Sequence, residues 1–251
     1  MFYIIKKYLR KYFSPHLKSQ IYKIKIKLFS KGGFGLDAID LKLLKILKPI
    51  IKKGFYIELG ANDGIRMSNT YLLQKKYKWK GVLIEPSPEK FKECVNNRNF
   101  FPKPDMFCGA CVPFGFQERF IEIEDSDLMS IAKGLDIDNF SAIRHADLGS
   151  EFLENKEHRI SYGSRAFTLN ELLKKSNAPK NIDFLSLDVE GNELSVLKGL
   201  DFNLYNPKWI LIEVHNKNSI VINNFLSDKN YSQKFILSDK EYYKDILFRR
   251  N

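Results

Sequence analysis

Apolar positions along the chain fall into short runs that switch between the two-residue period of a strand and the 3.6-residue period of a helix. After a helical run at Asp40–Lys48, Phe55-Tyr56-Ile57-Glu58-Leu59 reads as a first strand ending in a glycine turn. A helix is expected over Asn69–Tyr77, then a second strand over Gly81–Glu85, stopped by Pro86. Pro88–Asn97 reads as a helix with proline near its first turn, where a missing N–H breaks no intrahelical bond. Met106–Val112 is a third strand. Phe116–Ile131 is less regular, although Phe120–Glu124 alternates as one arm of a hairpin would. Residues 132–163 are polar and poorly patterned and read as an insertion or lid.

Regular patterning returns at Thr168–Lys175, a helix in which Thr168 and Glu171 stand at capping-box spacing. A strand over Ile182–Asp188 follows, then a helix from Asn192 to Lys198 stopped by Gly199. Trp209–His215 is a further strand and Val221–Asp228 a further helix, and strand-like runs at Lys234–Ser238 and Asp245–Arg249 end the chain. Alternating strands and helices predict an α/β, Rossmann-like fold with a mostly parallel sheet. The two terminal strands add an antiparallel hairpin at its edge. At 251 residues one domain is expected. Residues 36–251 form its body, and residues 1–35 form an arm that ends in the glycine-rich hinge Lys31–Gly35.

Charge separates arm from body. Residues 1–31 hold nine of the 41 basic residues and none of the 30 acidic ones, so +9 of the +11 net charge lies there. The near-neutral body argues against a nucleic-acid enzyme, whose basic groups should line the substrate groove. The arm could lie on an anionic membrane surface or remain a solvated extension. Without an apolar stretch of spanning length or a clean signal peptide, the expected location is cytoplasmic, with peripheral contact at the inner membrane face through the arm. Cys108 and Cys111 are three apart in a strand-like run and would face opposite ways, so with Cys94 they read as reduced, packed thiols.

In an open α/β sheet, ligands bind outside the carboxyl ends of the strands. The first strand ends in Gly60-Ala61-Asn62-Asp63-Gly64, a turn that lets backbone approach a ligand closely. The second ends in Glu85, 25 residues after Gly60, where a carboxylate can accept both hydroxyls of an adenosine ribose. Together they indicate a nucleoside-bearing cofactor, either a nicotinamide dinucleotide or S-adenosylmethionine. Asn62 stands where a dinucleotide fingerprint wants its second glycine, which disfavours the first. Two later strand ends carry Asp188-Val189-Glu190-Gly191 and Glu213-Val214-His215-Asn216. A carboxylate or imidazole at hydrogen-bond reach could take the proton of an attacking hydroxyl. The competing reading makes Asp188 and Glu190 caps for the next helix and His215 a strand terminus.

Several of these segments resemble the FkbM-type methyltransferase family of class I S-adenosylmethionine-dependent enzymes. They are Tyr56–Gly64, Ser68-Asn69-Thr70, Leu83–Pro88, Thr168–Leu172, Phe184–Glu193, Leu197-Lys198-Gly199 and Ile212–His215, in matching order over residues 54–215. The resemblance implies a seven-stranded class I methyltransferase sheet, with six parallel strands and one antiparallel. It implies that Glu58, Gly60 and Asn62 surround the methionine part of the cofactor and that Glu85 meets the ribose. Phe107, Cys108 and Gly109 would approach the adenine, while Asp63, Ser68, Asn69 and Pro86 complete the cofactor-binding set. Asp188 and Glu190 would face the transferring methyl and His215 the acceptor, making these three the candidate catalytic residues.

The expected reaction is O-methylation of a small molecule or sugar, in surface-glycan biosynthesis. An RNA or DNA methyltransferase, a non-catalytic cofactor-binding scaffold and an oxidoreductase are the rival readings. Asp188, Glu190 and His215 could hold a divalent ion, but spacing does not place three ligands around one point, and no metal centre is assigned.

Overall fold

A computed structural model describes residues 33–47, 53–126, 129–136, 139–149 and 160–251. The basic arm expected over residues 1–31 lies outside them. The strands in chain order are β1 (Phe55–Leu59), β2 (Lys80–Glu85), β3 (Asp105–Cys108), β4 (Ala110–Cys111), β5 (Phe120–Glu124), β6 (Ile131–Ala132), β7 (Ser161–Phe167), β8 (Asn181–Leu187), β9 (Asn206–His215), β10 (Tyr231–Asp239) and β11 (Tyr243–Arg250). The helices are α1 (Ile39–Leu47), α2 (Tyr71–Tyr77), α3 (Pro88–Arg98), α4 (Asn139–Gly149), α5 (Leu169–Lys175), α6 (Glu193–Leu197) and α7 (Ser219–Asp228).

Seven strands form the main sheet in the order β10-β11-β9-β8-β1-β2-β3. β9, β8, β1, β2 and β3 pair in parallel, whereas β11 is antiparallel to both β9 and β10. Six strands thus share one direction and β11 opposes them, as expected. Parallel strands are covered on both faces, so their side chains alternate between two cores rather than between core and water. Ile57, Val82, Leu185 and Ile210 pack with Leu172 of α5, Val196 of α6 and Ile222 of α7. Their strand neighbours Tyr56, Leu83, Phe184 and Leu211 pack with Leu43 of α1, Leu73 of α2 and Cys94 of α3. The predicted capping box opens α5: the Thr168 hydroxyl accepts from the Glu171 N–H, and the Glu171 carboxylate accepts from the Thr168 N–H.

The expected third strand divides. Its first half, β3, joins the main sheet, and after Gly109 the second half, β4, enters a separate four-stranded sheet ordered β4-β7-β5-β6. A Cβ at Gly109 would lie 2.8 Å from the Arg165 carbonyl oxygen, so only glycine fits this crossing between sheets. Cys108 and Cys111 therefore sit in different sheets, and all three cysteines are free. The alternation read at Phe120–Glu124 is β5, which pairs antiparallel with both β6 and β7. The described residues of the stretch read as a polar insertion supply the end of β6, all of α4 and the start of β7. Among the described residues, no helix is long and apolar enough to cross a membrane.

Candidate active site

A cavity of ≈ 610 Å³ opens between the carboxyl ends of the main-sheet strands and the second sheet. That volume falls in the ordinary range for small-molecule sites, roughly 300–1,000 Å³. Of the expected site residues, Gly60, Asn62, Asn69, Glu85, Pro86, Gly109, Asp188, Glu190 and His215 line it. Glu58, Asp63, Ser68, Phe107 and Cys108 do not.

The cofactor end is built by the turn after β1. Gly60 has φ +72°, and a Cβ there would stand 2.0 Å from the Asp188 carbonyl oxygen. The turn after β1 and the loop after β8 therefore touch backbone to backbone. Gly60→Ala is expected to lower stability by about 1–3 kcal/mol or more, from overpacking added to the left-handed conformation. A urea denaturation midpoint measures it, and an unchanged midpoint would show that the two loops can separate freely. Beside this turn, the Asn62 N–H donates to Glu85 Oε2 (2.8 Å) and the Ser87 N–H to Oε1 (2.9 Å). Two backbone donors thus aim the Glu85 carboxylate. Burial pushes its pKa up to about 7 against the pull of those same two bonds.

Glu58, expected beside the methionine part of the cofactor, is not among the residues that line the cavity. Its carboxylate is buried, the residue being only 4% exposed, and is held from several sides. It accepts from the Ser68 hydroxyl, the Asn69 N–H and the Thr70 hydroxyl, and Arg98 stands 3.7 Å away. Arg98, itself fully buried, donates to the Gly64 carbonyl and to the hydroxyls of Tyr56, Ser68 and Thr70. This ion pair ties β1, the turn after it and the start of α2 to α3, so Glu58 and Ser68 shape the turn. The Asp63 carboxylate is likewise used within that turn, accepting from the N–H groups of Ile65 and Arg66. Phe107 packs against the main core, and Cys108 Sγ faces the Pro86 carbonyl at 4.0 Å.

The opposite end of the cavity is acidic and carries imidazole. After β8 the chain turns through Glu190 and Gly191, both in the left-handed region at φ 59° and 98°. Glu193 Oε1 clamps this loop by accepting from the N–H groups of Val189 (3.3 Å) and Gly191 (2.8 Å). Asn192 ties it to the second sheet, donating to the Ala132 carbonyl and accepting from the Asp136 N–H. The loop thereby presents both Asp188 and Glu190. Strand periodicity then puts Glu213 and His215 of β9 on one face, and β11 sets Asp245 opposite Glu213 and Tyr243 opposite His215. From α4, His145 Nε2 lies 2.8 Å from Glu190 Oε2, and its ring is 5.9 Å from that of His215.

Electrostatics follow from crowding. Burial, with Glu190, Asp245, Glu193 and Glu58 adding to it, raises the pKa of Asp188 well above the usual carboxylate range. Burial and the neighbouring carboxylates raise Glu213 in the same way. Burial lowers His215, partly offset by Glu190, so its imidazole is neutral near pH 7. Sequence reasoning had not singled out Glu213, Asp245, Tyr243 or His145 as site residues. For Glu213 the signal existed, since any residue two before His215 on a strand shares its face. His145 lay in a stretch with no period to read, and Asp245 and Tyr243 enter only through the pairing of β11 with β9.

The fold is similar to that of magnesium protoporphyrin IX methyltransferase from Synechocystis PCC 6803 with bound S-adenosylmethionine, at 9% identity over 86% of this chain and 79% of that one, TM-score 0.46. It is also similar to Aeropyrum pernix fibrillarin with S-adenosyl-L-methionine, at 10% identity over 79% and 67%, TM-score 0.43. A precorrin-6y C5,15-methyltransferase from Geobacter metallireducens GS-15 is similar at 11% identity over 85% and 87%, TM-score 0.44. No curated protein matches the sequence. The model of the methyltransferase FkbM domain matches residues 58–232, spanning both ends of the cavity. The chain belongs to the FkbM methyltransferase family, whose methyl donor is S-adenosylmethionine.

Proposed function

We propose that the chain transfers the methyl group of S-adenosylmethionine to a hydroxyl of a small molecule or sugar, in the making of a surface glycan. The observation that supports this is the division of one cavity between a glycine turn with an oriented carboxylate, Glu85, and an acidic end carrying Asp188, Glu190 and His215. The acceptor oxygen attacks in line: its bond to carbon forms as the carbon–sulfur bond breaks. S-adenosylmethionine would supply the methyl group and be released as neutral S-adenosylhomocysteine, and Asp188 would take the hydroxyl proton. In the free protein, burial and the neighbouring carboxylates favour the protonated form of Asp188. A positive charge bound nearby would favour its carboxylate, the form able to take the proton. Glu190 and His215 face the acceptor. Much of the rate would come from holding the reactants in line, worth roughly 7–11 kcal/mol in well-oriented systems.

Calorimetric titration of the full chain with S-adenosylhomocysteine, followed by a screen of nucleotide sugars and glycans for methyl acceptance, tests the reading. Micromolar binding together with a sugar acceptor supports it. Binding with transfer only to RNA would replace the acceptor class, and absence of binding by folded protein would overturn the site. The +9 charge of residues 1–31 suits peripheral contact with anionic lipid, where lipid-linked acceptors are found. Sedimentation with vesicles containing phosphatidylglycerol should fall on deletion of these residues.

The cofactor end has its own pH signature. Ribose hydroxyls donate to the ionised form of Glu85, whose pKa of about 7 in the free protein is raised by burial first and by Asp125, and opposed by the N–H groups of Ser87 and Asn62 and by Lys90. Binding therefore lowers this pKa and releases a proton. Affinity for S-adenosylhomocysteine should rise about tenfold between pH 6 and pH 8 and then level off. The sign for stability is the reverse. A folded pKa above the unfolded one makes the free protein lose this contribution as pH climbs from about 4.5 to about 7. Glu85→Gln should flatten both dependences; a profile unchanged in that variant would remove Glu85 from the ribose.

A further inference from the structure

The acidic end of the cavity has more donors than proton transfer needs. One ligand atom from each of Glu190, Glu213 and His215 can be chosen so that all three lie within 4.8 Å of one another. Three nitrogen or oxygen donors around a common divalent ion stand roughly 3–4.2 Å apart, given bond lengths of about 2.0–2.2 Å. Small side-chain adjustments therefore close the set. Two further observations point to a missing ligand. His215 Nε2 is buried and makes no hydrogen bond, although Glu213 Oε1 is only 3.4 Å away. Asp245, 7% exposed, lines the same cavity opposite Glu213, and its Oδ2 has no hydrogen-bond partner.

We propose that Glu190, Glu213 and His215 bind a divalent first-row transition-metal ion of the Mn²⁺, Co²⁺ or Zn²⁺ class. One imidazole with two carboxylates suits these ions better than Mg²⁺, which prefers an all-oxygen shell. His145 is the orienting partner: its 2.8 Å contact with Glu190 Oε2 fixes the carboxylate from α4, as outer-shell histidine–carboxylate pairs do. Three protein ligands leave coordination positions open toward the cavity, where an acceptor hydroxyl would bind and become more acidic. Only this last role rests on the methyl-transfer reading; ion binding does not.

The test uses the full chain, stripped with chelator and titrated with Mn²⁺ alone, free ion being counted by electron paramagnetic resonance, with and without saturating S-adenosylhomocysteine. One equivalent should bind, and Glu213→Gln and His215→Gln should each weaken binding by at least the 10- to 100-fold that loss of an orienting partner alone costs. Both variants should keep the wild-type circular dichroism and bind S-adenosylhomocysteine. Electron spin echo measurements on the wild type should show nitrogen modulation from one coordinated imidazole, which keeps the test decisive if a variant fails to fold. Absence of stoichiometric binding by folded protein in both conditions, binding indifferent to both substitutions, or bound Mn²⁺ without nitrogen modulation would overturn the site. Ion binding through these residues without S-adenosylhomocysteine binding leaves the site standing and removes the methyl-transfer reading. The reverse pattern removes the site alone.

Discussion

Asp188→Asn is expected to lower the turnover number for methyl transfer by on the order of 10²–10⁴, the usual share of a general base, while the protein stays folded and binds S-adenosylhomocysteine. Asparagine is nearly isosteric with the protonated acid that burial and the carboxylates of Glu190, Asp245, Glu193 and Glu58 favour in the free protein. The variant therefore loses little of the resting structure and only the capacity to take a proton. Stability should, if anything, hold better toward high pH. A buried carboxyl whose folded pKa is raised binds protons more tightly folded than unfolded, so wild type loses stability as pH rises through the window between the two values. Single-turnover kinetics separate the outcomes. A slow chemical step with an unchanged cofactor constant supports Asp188 as base. An unchanged chemical step would assign the proton elsewhere and leave Asp188 as a structural partner of the Gly60 turn.

Arg98→Met carries the largest expected effect on stability, a loss of about 3–5 kcal/mol in urea denaturation, as for removal of one partner from a buried ion pair. The guanidinium is fully buried and donates to the Gly64 carbonyl, the Gln74 side-chain oxygen and three hydroxyls besides facing Glu58 at 3.7 Å. Its removal strands the Glu58 carboxylate and frees the turn between β1 and α2. Affinity for S-adenosylhomocysteine should fall as well, because Asn62 and Asn69 are carried by that segment and line the cavity. Adding Glu58→Gln should restore part of the stability by removing the stranded charge. If the double variant is no more stable than Arg98→Met, the network acts through its hydrogen bonds and not through the ion pair.

The order of strands and helices was readable because each rests on local periodicity. A residue pattern such as Phe55–Leu59 or Trp209–His215 carries its own period, its own turn and its own stop signal. The capping box at Thr168, the turn at Gly60 and the carboxylate after β2 were likewise legible, being local arrangements of a few residues. The partners of Glu58 were not legible, for the opposite reason. Its neighbours in sequence match a cofactor-binding strand end, yet Arg98 comes from 40 residues away and pairs with its carboxylate.

The second sheet shows the same limit. Ala110 and Cys111 continue a run that reads as one strand, but their pairing partner is β7, more than 50 residues on, and no period in 132–163 announces it. The sequence by itself determined the α/β order, the parallel sheet with its reversed edge, and the strand ends that carry Gly60, Glu85, Asp188 and His215. Only the tertiary structure decided which side chains meet there, because register between β9 and β11 and the docking of α4 are set by packing between distant segments. Those contacts bring Glu213, Asp245 and His145 to Glu190 and His215.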